Sequence, residues 1–112
     1  MNAKEQLIEL VEKMNKEPAH IADEKDRVFQ FDLKETGTLQ VQFKDGQAYM
    51  LEEATEDADV TLKMNDESFI KLLDDDLNTT VAFMTGKLKV DGSMGLAMKL
   101  QQLVKEYKQV AE

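Results

Sequence analysis

The 112-residue chain has no cysteine, no tryptophan, a single proline, a single histidine and only five glycines. Lack of cysteine removes disulfides, thiolate nucleophiles and Cys-ligated zinc or iron–sulfur centres together. No apolar run approaches the roughly 18–20 residues that span a bilayer. The first seventeen residues, MNAKEQLIELVEKMNKE, scatter acids among apolar positions and hold no h-region of a secretory signal. The last three, Val110-Ala111-Glu112, are not a peroxisomal address. A cytoplasmic location is the expectation. Basic residues are outnumbered, 14 against 23 acidic, and the net charge of −9 repels phosphate backbones, so nucleic acid is not an expected partner. The length suits one domain over residues 1–112 rather than two lobes around a cleft, and 42% hydrophobic residues suffice for a core.

What is present alternates between two periods. Residues 2–17 place Ala3, Leu7, Leu10, Val11 and Met14 on one helical stripe, with Asn2 and Glu5 as a reciprocal cap and Pro18 as the stop. The period then becomes two. Phe29, Phe31 and Leu33 alternate with Val28, Gln30 and Asp32, and Leu39, Val41 and Phe43 with Gln40, Gln42 and Lys44. Asp45-Gly46 predicts a tight hairpin into a third strand over residues 47–51. An acidic connection over residues 52–59 leads to a fourth strand carrying Val60, Leu62 and Met64. Helical spacing returns with Phe69, Ile70, Leu72 and Leu73, capped by Asn65 or Asp66 and ended by Asp74-Asp75-Asp76. A short helix over residues 79–84 stops at Gly86, and Leu88 and Val90 share one face of a last strand. Ser93 caps a final helix with Leu96, Leu100, Leu103 and Tyr107 on one stripe, widened by Ala97 and Val104. The order predicts one α+β domain with a largely antiparallel sheet, one face under helices and the other wet.

No set of catalytic residues emerges. His20 stands alone, without a second histidine or a cysteine to complete a metal site or nucleophile pair. Asp74, Asp76 and Asn78 begin like a calcium loop, but Thr79 stands at the position that needs glycine and Thr85 at the position that needs a bidentate glutamate. Glu52, Glu53, Glu56, Asp57 and Asp59 read as a solvated loop rather than an acid/base pair. No cofactor, metal or enzymatic activity is expected.

The methionines point elsewhere. Met84, Met94 and Met98 fall where the short helix, last strand and final helix must meet, and Met is the side chain best suited to irregular or changeable volumes. Met94 and Met98, four apart, widen the apolar arc of the final helix beyond what packing on a sheet requires.

The stretch FMTGKLKVDGSMGLAMKLQQL, residues 83–103, strongly resembles the signature end of the sterol carrier protein type-two, or nonspecific lipid-transfer, domain family. Asp57-Ala58-Asp59-Val60-Thr61-Leu62 followed by Asp66-Glu67-Ser68-Phe69 looks like that family's strand-to-helix segment, and the Asp45-Gly46 hairpin sits where the family has one. The resemblance implies a twisted five-stranded, mostly antiparallel sheet with helices on one face and an apolar tunnel between them. It implies binding and shuttling of fatty acids, fatty acyl-CoAs or sterol-like molecules without chemistry on them. Carried over by position, Phe83 and Met84 of the short helix, Met94, Met98 and Leu103 of the final helix, Leu39 and Val41 of the second strand, and Phe69 and Leu73 of the intervening helix line that tunnel. Asn78-Thr79-Thr80-Val81 departs from the proline the family often places before its short helix, and the absent peroxisomal tail fits a free-standing microbial version.

Two physical expectations accompany the resemblance. A rigid dry void of about 300 Å³, at about 24 cal/mol per Å³, costs roughly 7 kcal/mol, comparable with a domain's whole stability of roughly 5–15 kcal/mol. The empty protein should therefore admit water or partly collapse. Charge is also uneven: from residue 85 onward Lys87, Lys89, Lys99, Lys105 and Lys108 face only Asp91, Glu106 and Glu112, a local +2 against −11 for the remainder. That basic end suits transient membrane contact or an acyl-CoA phosphate. The other class of function compatible with the same fold is a ligand-free protein-interaction module.

Overall fold

The computed structural model describes residues 2–110, with side chains through 108; Ala111 and Glu112, at the end read above for a peroxisomal address, lie outside them. Asn2 opens the first helix, α1 (Ala3–Lys16): the Glu5 amide donates to Asn2 Oδ1 at 2.8 Å and the Asn2 amide donates back to Glu5 Oε1 at 3.2 Å. Pro18 ends it in a short 3₁₀ turn, Pro18–His20. Four strands follow, β1 (Arg27–Leu33), β2 (Gly37–Lys44), β3 (Gln47–Leu51) and β4 (Val60–Met64). Helices α2 (Asp66–Leu73) and α3 (Thr79–Met84), strand β5 (Lys89–Gly92) and helix α4 (Met94–Val110) complete the chain.

The sheet order is β3-β2-β1-β4-β5. Asp45 and Gly46 both take positive φ, 54° and 76°, the geometry of a two-residue turn whose twist matches its strands. Three of the four pairings are antiparallel; β1 and β4 run parallel, with Phe31 opposite Leu62. Gly92, at φ 116°, pairs with Val60 so closely that a Cβ there would lie 2.9 Å from the Asp59 carbonyl oxygen. Phe29, Phe31, Leu33, Leu39, Val41, Phe43, Val60, Leu62 and Met64 are buried in one core with the apolar stripes of α1, α2 and α4.

The far face of the sheet is less wet than the alternation predicts. Gln40 is fully buried there because the acidic connection lies across it. Its amide donates to the Glu56 carbonyl at 2.8 Å and accepts from the Glu56 amide at 3.2 Å, while Gln30 accepts a further bond at 2.9 Å.

Two other polar ties hold helices to the sheet. Asp66, the first residue of α2, accepts from both the hydroxyl and amide of Thr36 and from the Glu35 amide. Burial pushes its carboxyl up, but the Thr36 and Glu35 hydrogen bonds outweigh that and hold it below its ordinary value. Asn15 of α1 grips edge strand β3, donating to the Ala48 carbonyl and accepting from the Ala48 amide, both at 2.9 Å. Ala48 is buried, so Asn15→Ala should strand both its backbone groups and cost about 1–3 kcal/mol in urea unfolding. Unchanged stability would show that water replaces the side chain there.

Candidate functional site

The nine residues carried over from the sequence occupy three depths. Leu39 and Val41 of β2, Phe69 and Leu73 of α2 and Leu103 of α4 are buried together in the core. The rings of Phe69 and Phe31 meet at 4.8 Å. Met94 is half-buried against that cluster. Phe83, Met84 and Met98 lie at the surface, 46%, 78% and 40% exposed. The five buried residues belong to one packed core with the strands and helices around them. A small cavity of about 130 Å³ between α1, α2 and α4 is bordered by Leu10, Leu73, Val104 and Tyr107 with Glu9 and Lys13 at its rim. That is well under the roughly 300 Å³ at which ligand cavities commonly start.

Helix α3 is built inside out. Asn78 caps it by accepting from the Val81 amide at 3.0 Å, and the Thr79 amide donates to Gln101 Oε1 of α4 at 2.9 Å. Its buried positions are Thr79 and Ala82, three apart on one helical face. The large apolar residues Val81, Phe83 and Met84 face solvent instead. Ordinarily a helix this short would be held down by its bulkiest side chains. Met98 of α4 joins the exposed group beside Thr80, whose hydroxyl lies 3.5 Å from its sulfur. Beneath, the Thr79 hydroxyl oxygen is buried without a hydrogen-bond partner, an uncommon condition for a protein interior.

Sequence reasoning placed Phe83, Met84 and Met98 in a lining and missed their exposure. Sequence alone could not show it, because the face of residues 79–84 that turns inward, with Thr79 and Ala82, is set by the packing of α3 on α4. His20 is more constrained than a surface loop residue would be. Its Nδ1 lies 2.6 Å from Glu106 Oε2 and its ring meets Tyr107 edge-on at 5.3 Å. Among the described residues, no three His, Asp or Glu side chains are grouped so as to hold a metal ion, and no helix is long and apolar enough to cross a membrane.

This architecture and this sequence have relatives. The profile of the SCP-2 sterol transfer family matches residues 5–105. The chain belongs to that family. Members of the SCP-2 family bind and transfer lipids, and this SCP-2 domain is 35% identical over 100 residues to sterol carrier protein 2 of Homo sapiens. The match covers 85% of this chain but 18% of the human protein, so the chain spans less than a fifth of that relative's length. Among solved structures, the sterol carrier protein domain 2 of Helicoverpa armigera superposes with a TM-score of 0.75 at 28% identity, covering 95% of this chain and 87% of that one. The sterol carrier protein 2 of Aedes aegypti, solved with the C16 fatty acid palmitate, shares the fold at TM-score 0.65 and 20% identity over 88% of this chain and 94% of its own. The expected α+β class and five-stranded, mostly antiparallel sheet are those of the SCP-2 fold.

Proposed function

We propose that this SCP-2 domain binds single lipid molecules noncovalently between its sheet and helices and transfers them, without chemistry on them. Fatty acids, fatty acyl-CoAs and sterol-like molecules are the ligand class. The observation that carries this reading is α3, which presents Val81, Phe83 and Met84 outward beside Met98. A lipid chain entering between α3 and α4 would exchange that solvent exposure for contact. Phe83, Met84, Met94 and Met98 would close around the outer half of the chain, and Leu39, Val41, Phe69, Leu73 and Leu103 would receive its inner half. The unpartnered Thr79 hydroxyl offers one hydrogen bond to the lipid's polar end.

Energetics are consistent with a closed empty state. Packing the layer with side chains avoids the cavity cost of several kcal/mol set out above. Each buried methylene contributes about 0.8 kcal/mol, so most of a sixteen-carbon chain supplies on the order of 10 kcal/mol toward opening the layer and losing ligand freedom. Unbranched methionines can change rotamer around such a chain with little strain. Transient contact with a membrane during loading fits the same exposed face.

Phe83→Asp and Met98→Lys should each weaken fatty-acid binding at least tenfold, measured by native mass spectrometry and fluorescent-lipid displacement. Both positions are solvent-exposed, so thermal stability of the lipid-free protein should change little. Wild-type protein that refuses fatty acids, acyl-CoA and sterols alike would favour the ligand-free interaction module, for which the α3 face would be the contact surface.

A further inference from the structure

Four lysines meet at one end of the sheet, where β1 and β4 finish and β5 begins. Lys63 of β4 stands directly opposite Lys89 of β5 in the antiparallel register, and Asp32 of β1 stands opposite Lys63. Lys34 follows the end of β1, where its amide donates to the Met64 carbonyl at 3.1 Å. Lys87 lies two residues before Lys89, just beyond the Gly86 turn. Together Lys34, Lys63, Lys87 and Lys89 border a groove of about 390 Å³ with Leu33 and Met64 beneath. All four are exposed, and among the described residues none forms an ion pair.

With Asp32 as the one carboxylate in its lining, the groove keeps an excess of positive charge that an anion would offset. Like charges directly opposite across two strands are destabilising, and here the register imposes the Lys63–Lys89 pair. Lysine on an edge strand is a common guard against sheet-to-sheet association, which accounts for Lys89 on β5. It does not account for Lys63, on an interior strand, or for Lys34, at the end of the central one. Asp91, two residues beyond Lys89, stands opposite Thr61, and the carboxylates of Asp32, Asp66 and Glu67 have other partners. Asp32 Oδ1 accepts from Gln30 at 3.0 Å and Thr38 at 3.1 Å, Asp66 accepts from Thr36 and Glu35, and Glu67 pairs with Lys71. A protein of net charge −9 thus gathers four of its 14 basic residues around one groove.

We propose that this groove binds a phosphate-bearing anion of at least two negative charges, at a site separate from the lipid layer. Lys63 and Lys89 would hold the phosphate across the strand pair, and Lys34 and Lys87 would close on it from either side. Phosphate chemistry of this kind belongs equally to a soluble phosphate compound and to an anionic lipid headgroup. The inference stands independently of the proposed lipid carriage, because none of the four lysines is among the residues proposed to hold the lipid chain.

The test titrates the full chain at low salt with inorganic pyrophosphate, following backbone amide shifts. In parallel, it measures co-sedimentation with phosphatidylcholine vesicles with and without phosphatidic acid. The variants are Lys63→Gln/Lys89→Gln and, as a charge-matched control at the other end of the sheet, Lys25→Gln/Lys44→Gln. Shifts centred on residues 33–34, 63–65 and 86–89 with pyrophosphate would identify a soluble phosphate as the occupant. Binding only to vesicles containing phosphatidic acid would identify a headgroup. In either case the Lys63/Lys89 variant should bind at least tenfold more weakly and the control should match wild type. A second readout needs no ligand: relieving the opposed charges should leave the melting temperature of the Lys63/Lys89 variant at or above the wild-type value. Absence of binding in both arms, or an equal loss in the control variant, would overturn the proposal.

Discussion

Phe69→Ala is expected to lower the stability of the lipid-free domain by about 3–5 kcal/mol, the largest effect of any single truncation considered. Phe69 is wholly buried on α2, its ring against Phe31 in the layer where the lipid is proposed to lie. Removing it takes away transfer energy and leaves a void that the surrounding strands cannot fill. Saturating fatty acid should return part of that loss, because a chain lying in the layer would occupy the vacated volume. Binding at a hundred times the dissociation constant adds about 2.7 kcal/mol in any protein that binds a ligand only when folded. The specific expectation is that the variant gains more than wild type from the same degree of saturation. Urea unfolding of both proteins, with and without fatty acid, measures this directly. Equal gains would place the lipid away from Phe69.

The second large effect is alkaline. Tyr107 is completely buried and its hydroxyl donates to the Glu17 carbonyl at 2.7 Å. Burial pushes the phenol from its ordinary 10 up to about 12, and the negative charges of Glu106 and Glu17 add to the rise. The folded state therefore holds this proton more tightly than the unfolded chain does. Its contribution is fully present below pH 10 and is lost as pH climbs from 10 to about 12. Two pKa units correspond to roughly 3 kcal/mol across that window. The comparison is with Tyr107→Phe, which removes this one proton and leaves every other group in place. That variant should start about 1 kcal/mol less stable at neutral pH, having stranded the Glu17 carbonyl, yet show a shallower alkaline decline. Parallel declines would mean that the buried phenol does not govern this limb.

Much of the architecture was legible because local chemistry and fold agree. Asn2 with Glu5 announced one helix start and Asn65 or Asp66 another, and the structure shows the Asn2 and Asn65 side chains each accepting a backbone amide bond. Asp45-Gly46 announced its hairpin, and the alternation of β1 and β2 marked which face is core. Long-range pairing was not legible in the same way. Nothing local says that β1 pairs in parallel with β4, 31 positions away at Phe29 and Val60, yet that pairing puts Lys63 within the lysine groove. The burial of Gln40 was hidden for a similar reason. A polar residue at an outward position reads as solvated until a distant segment folds over it. The candidate lining was partly legible: residue type located Phe83, Met84 and Met98 in one region, but their outward orientation depends on which face of α3 meets α4.

The bond from Tyr107 to Glu17 joins points 90 residues apart, and the central strand β1 pairs in parallel with β4 only after β2 and β3 have intervened in the chain. Such a topology cannot be assembled in the order of synthesis. When β1 to β3 have left the ribosome, the meander still lacks β4 on its open side, and α1 has no α4 to close over its end. Within this domain the sheet is therefore incomplete until β4 and β5 have emerged, and the packing of α4 on α1 is the last to become available. A helper that shields short apolar segments during translation would have its greatest effect on yield here. A destabilised α4 would then be felt first as poor recovery of folded protein, before any loss of lipid affinity could be measured.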